Sequence, residues 1–174
     1  ADALRIRSAL LIALLFRQPE HPGIAAAAQM LDTLLAAPDI ETVPVNERVH
    51  AASILFNYFN WKTKGDTADS LIARVEPWLA DPRLTPKSRV WWQVHRAFHE
   101  QIRGRFARSQ KIMKETEAFA AADGLKWVQF EIYHAEVTAL ASGDDAAGAA
   151  AALVKLRQVL DPARRMDVAY FRFQ

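Results

Sequence analysis

All-α, with helices stacked in pairs as an α-solenoid, is the fold class this sequence predicts, and three observations predict it. Gly65, Gly104 and Gly143 are evenly spaced, at an interval of 39. Each separates an amphipathic run from an Ala-rich one, in Lys64-Gly65-Asp66, Arg103-Gly104-Arg105 and Ser142-Gly143-Asp144, as a glycine closing a helix in a left-handed turn would. Five residues after each glycine stands a small residue, Ser70, Ser109 or Gly148, which lets two helices approach closely. A period of roughly 20 to 50 residues marks an array in which each helix pair buries its apolar face against its neighbours. About four pairs fit the length, as one domain over residues 1–174.

The first pair is expected over residues 3–18 and 23–37, where Met30, Leu31, Leu34 and Leu35 keep helical spacing. Gly23 precedes Gly65 by slightly more than the common interval, so the first unit departs from the beat, with the extra length in the loop from Pro38 to Pro44. The second pair starts after Pro44 with Asn46 as candidate cap and runs to Lys64; its partner covers residues 66–80, capped by Asp66. Pro77 removes a backbone donor inside that partner and is expected to bend or end it near Arg74. Thr85-Pro86 opens the third pair as a cap followed by a first-turn proline. That helix reaches Gly104, and its partner covers residues 105–122. The fourth pair covers residues 125–142 and 145–160, with Asp144-Asp145 capping its second helix, and a ninth helix begins near Arg165.

Lys and Arg total 22 against 20 for Asp and Glu, a net charge of +2. Both signs alternate along most helices, so the fragment is not expected to contact nucleic acid. Cysteine is absent, which removes disulfides and thiolate chemistry and fits the cytoplasm. The apolar run from Ala9 to Phe16 is too short to cross a bilayer and is bracketed by Arg5, Arg7 and Arg17; it reads as a buried first helix. Starting at Ala1 and stopping inside the apolar run 168–173, the chain reads as a piece of a longer polypeptide.

Lys64-Gly65-Asp66 with Ser70 and Asp81-Pro82, Arg103-Gly104-Arg105 with Ser109, and Gly143-Asp144 with Gly148 and Asp161-Pro162 together resemble the tetratricopeptide repeat. Two features depart from that pattern. The period exceeds the family's usual ~34 residues, and the tryptophan, glycine and tyrosine of the usual first helix are not kept in register. Longer repeats of this kind are similar to the helical-repeat region of bacterial transcription regulators of the maltose-activator and LuxR type. The resemblance implies a right-handed superhelix for effector sensing or partner contact, with ATP hydrolysis and DNA binding in other domains.

Aligning the first helices on the glycines puts Ala52, Trp91 and Phe130, then Leu55, Val94 and Tyr133, then Phe59, Phe98 and Val137 on core rows. It puts Ser53 and Trp92, Asn57 and Arg96, Asn60 and His99, and Lys64 and Arg103 on the opposite, solvent-facing rows. Trp92, Arg96, His99 and Arg103 share one side at spacings of 4, 3 and 4, and with Asn57 and Asn60 they form the candidate partner-binding surface, an aromatic anchor among hydrogen-bonding groups. The bland reading has Trp92 filling a gap between helices with Arg96 over its face. The reading is a non-enzymatic module with no cofactor, binding a protein, a peptide or a small effector. Two rivals stand beside it. One is a helical metalloenzyme using His95, His99 and His134; the other is a structural spacer or homo-oligomerisation unit, with the apolar end Tyr170, Phe171 and Phe173 either core for a further helix or a self-association patch.

Overall fold

The computed structural model describes residues 2–62, 65–122 and 126–159. Among them every regular element is helical: α1 (Asp2–Arg17), α2 (Ile24–Leu35), α3 (Val45–Trp61), α4 (Gly65–Leu79), α5 (Pro86–Ile102), α6 (Phe106–Ala122), α7 (Lys126–Ser142) and α8 (Ala146–Val159), with a 3-10 turn at Ile40–Thr42. The expected ninth helix, the second Asp-Pro and the aromatic end at 170–173 lie outside the described residues, as do Lys64 and the side chains of Phe130 and Ser142. The chain forms two compact units, residues 1–95 and 96–174, and the division falls inside α5.

In the first unit α1 packs on α2 and α3, α2 also on α3, and α3 on α4. The centre is α3, which buries twelve of its seventeen residues and leaves only a narrow stripe, with Asn46, His50, Asn57 and Trp61, unburied. Its polar members find partners inside: the Ser53 hydroxyl donates to the Val49 carbonyl at 2.8 Å, and the buried Arg48 guanidinium pairs with Glu41 and lies 5.0 Å from the centre of the Trp78 ring. Trp78 Nε1 donates to the same carboxylate at 3.0 Å, which ties the 3-10 turn to α3 and α4. In the second unit α6 packs on α7 and α7 on α8.

Helix ends follow local chemistry where the cap sits next to the helix. Thr85 Oγ1 accepts from the Ser88 N–H at 3.3 Å, inside the first turn of α5, as an N-cap should. At α8 the capping residue is Asp145, whose Oδ1 accepts from the Gly148 N–H at 2.8 Å. Two expected caps are displaced. Asp66 lies inside the first turn of α4, and Asn46 leaves its own helix end to bridge to the α4–α5 loop, accepting from the Thr85 N–H at 2.8 Å and donating to the Arg83 carbonyl at 3.0 Å. Pro77 does not end α4, which continues to Leu79. The proline forgoes the bond that an N–H there would give to the Ala73 carbonyl, but Trp78 and Leu79 beyond it are buried, and that packing holds the last turn.

The three glycines are not equivalent corners. Gly65 is the first residue of α4. Gly104 is left-handed at φ 72°, and in the last turn the matching residue is Asp144 at φ 60° rather than Gly143. The hydrogen bonds agree: Arg105 N–H reaches the Glu100 carbonyl at 2.7 Å, and Asp145 N–H reaches the Leu140 carbonyl at 2.9 Å, the six-to-one closure of a helix that ends left-handed. Helices α2, α4, α6 and α8 start at residues 24, 65, 106 and 146, intervals of 41, 41 and 40, while α3, α5 and α7 start at 45, 86 and 126, intervals of 41 and 40. The small residues in phase with these starts are Ala27, Ala68, Ser109 and Ala149. The first three are buried and the fourth half-buried. Ser70 is exposed, and Gly148 is small for another reason, since a Cβ there would collide with the capping carboxylate of Asp145.

Candidate functional site: a side-chain-sized cleft on α6 and α7

The change of period decides where the predicted binding stripe lies. An interval of 41 in place of 39 rotates a helix assignment by two residues, about 200°, and so exchanges inner and outer faces. In phase with the helix starts, Trp92 falls in a row with Ala51 and Ile132, and all three are at most 1% exposed. Trp92 is therefore not a surface anchor. Its ring lies 5.0 Å from that of Phe56 in the core of the first unit, and among the described residues no acceptor meets its Nε1.

The other members of the stripe scatter. Asn60 is buried and its amide donates to the His95 carbonyl at 3.4 Å; His99 is buried; Asn57 and Arg96 are half-buried; Arg103 is exposed. The expectation that all six share a solvent-facing surface is thus corrected for Asn60, Trp92 and His99. The mixed outcome for the glycine-aligned core rows has the same origin: Ala52, Leu55 and Val94 are buried, but Trp91, Phe98 and Val137 are only half-buried.

Of the three histidines of the metal alternative, His95 belongs to the first unit and His99 and His134 to the second. His95 packs edge-on to Trp91 at 4.7 Å, and burial, followed by the charge of His50, pushes its pKa down to about 4. His134 lies 6.4 Å from the Phe98 ring. Among the described residues no three His, Cys, Asp or Glu side chains converge as a metal ion needs.

A different site emerges in the second unit. Ser109, Met113 and Glu117 on α6 and Ile132, Glu136 and Leu140 on α7 each repeat at i, i+4 and i+8, so each set forms one line along its helix. Together with Gln101, Gln110 and Lys114 they line a cleft of about 130 Å³. Its base is held by Gln101, whose Nε2 donates to the Ser109 hydroxyl at 3.2 Å. Glu100, buried just before Gln101, pairs with Arg105 at 3.3 Å and Arg108 at 3.5 Å and fixes the start of α6 against the end of α5.

The walls carry charge. Glu117 accepts from the Tyr133 hydroxyl at 2.7 Å. Burial first, and then this bond to a carboxylate, push the Tyr133 pKa up to about 12, so the phenol stays a neutral donor. Lys155 on α8 reaches Glu136 at 3.6 Å and lies 5.7 Å from the centre of the Tyr133 ring. A space of this size holds about four waters' worth of volume and is well below that of a drug-sized pocket; it suits one side chain or a small polar fragment.

Of these lining residues the sequence singles out only Ser109, as a packing marker. The available signal is the pair of i, i+4, i+8 lines on consecutive second and first helices, which mix apolar positions with polar ones. In comparisons with known proteins, the chain matches no family model, no curated protein and no solved structure.

Proposed function

We propose that this chain is a non-enzymatic helical-repeat module that recognises a protein or peptide partner, or a small effector, as part of a larger cytoplasmic regulator of transcription. In this reading the helix pairs stack as a tetratricopeptide-like superhelix whose period is the one set by the helix starts. The observation that carries the binding role is the cleft between α6 and α7, where apolar Met113, Ile132 and Leu140 stand among amides and carboxylates. Such a mixture suits recognition of a side chain, with apolar contact for affinity and a few polar groups for orientation. The recurring small residues Ala27, Ala68 and Ser109 support the repeat reading, since close approach at one position per unit is what a stacked array requires.

A peptide library displayed on phage and selected on the purified chain tests this. Enriched peptides should share one anchoring side chain and lose about tenfold or more in affinity to Gln110→Trp, a half-buried position where the larger ring fills the cleft. Circular dichroism of the variant should be unchanged. Absence of enrichment over an unrelated helical protein, or equal binding by the variant, would overturn the assignment.

A further inference from the structure

The first helix is apolar on both sides. Leu4, Leu11 and Leu15 are buried against α2 and α3, yet Ile6 is 64%, Leu10 41% and Phe16 64% exposed. Ala9 and Ala13 lie among the outward residues and are exposed too. At about 100° per residue, Asp2, Ile6, Ala9, Leu10, Ala13 and Arg17 occupy one side of the helix, opposite the buried leucines. The Phe16 ring lies 6.4 Å from that of Trp61 at 65°, and Trp61 is itself 53% exposed, so the apolar strip continues onto the end of α3. A helix that is apolar all round normally has a neighbour on each face.

We propose that this outer face of α1 pairs with the same face of a second copy of the chain. The face is complementary to itself under a two-fold axis that lays two α1 helices antiparallel in full overlap. In that register Ile6 meets the partner's Ala13, Leu10 meets the partner's Ala9, and Asp2 meets the partner's Arg17. A large side chain opposes a small one at each apolar position. The opposite charges sit at the two ends, where helix dipoles in antiparallel contact also favour them. Asp2 is available for this role, its side chain being 90% exposed and 3.8 Å from Arg5. The chain itself supplies the charge match at both ends, with Asp2 in the first turn and Arg17 in the last, which an apolar helix with uncharged ends would lack. Two α1 helices are about 24 Å long and bury on the order of 1,000 Å² together, the lower edge of specific interfaces, so the dimer is expected to be weak and concentration-dependent.

Sedimentation velocity over a dilution series of the intact chain tests the pairing. The expected result is a monomer–dimer equilibrium. Leu10→Glu should weaken it by about a hundredfold or more, because two carboxylates would be placed in an apolar seam. Asp2→Arg and Arg17→Asp should each weaken it about fivefold, and the double variant should return it to the original strength. Circular dichroism of each variant should match the parent, and so should melting at a dilution where both are monomeric, since these residues face outward. A monomer at every concentration, a dimer indifferent to Leu10→Glu, or a charge swap that fails to restore association would each overturn the proposal; binding of a different apolar helix in place of self-pairing would count as the first of these.

Discussion

Asn46 and Thr85 lie 39 residues apart and are joined twice: the Asn46 Oδ1 accepts from the Thr85 N–H at 2.8 Å and from the Thr85 hydroxyl at 3.0 Å. The same amide donates to the Arg83 carbonyl at 3.0 Å, so one side chain at the start of α3 fixes the loop that launches α5. Asn46→Ala should destabilise the protein by about 1–3 kcal/mol, since it removes the acceptor and the donor at once from a half-buried position. Asn46→Asp keeps the acceptor and loses the donor, and should fall between. Urea unfolding of the three proteins measures the order.

Trp92 separates the surface and core readings of α5. Fully buried against Phe56, it should cost about 3–5 kcal/mol when replaced by alanine, and markedly less when replaced by phenylalanine, which keeps most of the ring. An exposed tryptophan would cost within about 0.5 kcal/mol. The shift of the denaturation midpoint decides between them.

The two left-handed turns give opposite mutational signs. Gly104→Ala should destabilise by about 1 kcal/mol or more, because its φ is 72° and a Cβ is disfavoured there; steric crowding is not the cause, as nothing lies within 4 Å. Asp144→Gly should stabilise by several tenths of a kcal/mol, relieving a residue held at φ 60°. Gly143→Ala should change stability by no more than about 0.5 kcal/mol. Were Gly143 the partner of Gly104, its replacement would cost as much as that of Gly104.

Acid should weaken the fold through His95. Its folded pKa is depressed to about 4 from the ordinary 6.5, so between these values the unfolded chain takes up a proton that the folded chain refuses. Stability therefore falls as pH drops from about 6.5 to about 4, by on the order of 3 kcal/mol, and this contribution is fully present above pH 6.5. His50, lowered by burial and by Lys87, acts in the same direction. His95→Gln should remove most of the slope in a pH series of urea midpoints.

Much of the helical layout was legible because its signals are local. The Thr85-Pro86 start and the ends near Gly104 and Ser142 follow from neighbouring residues, and the structure places α5, α6 and α7 within a few residues of those limits. The Pro77 and Asn46 readings failed for a shared reason: both residues behave as they do because of tertiary contacts, Trp78 and Leu79 anchoring the end of α4 in the core and Thr85 capturing the Asn46 amide. Of the cleft, each i, i+4, i+8 line can be read along its own helix, but that the two lines face each other cannot, since Glu117 meets Tyr133 only across two helices.

By itself the sequence determined that the chain is helical, where most helices begin and end, and that cysteine chemistry has no place in it. Helix formation, capping and turns depend on residues within a few positions of one another, so a linear reading captures them. Which side of each helix faces inward was decided only by the tertiary structure. A spacing error of two residues turns a helix half-way round, and a central helix such as α3, with twelve of its seventeen residues buried, offers only a narrow polar stripe from which to detect that error.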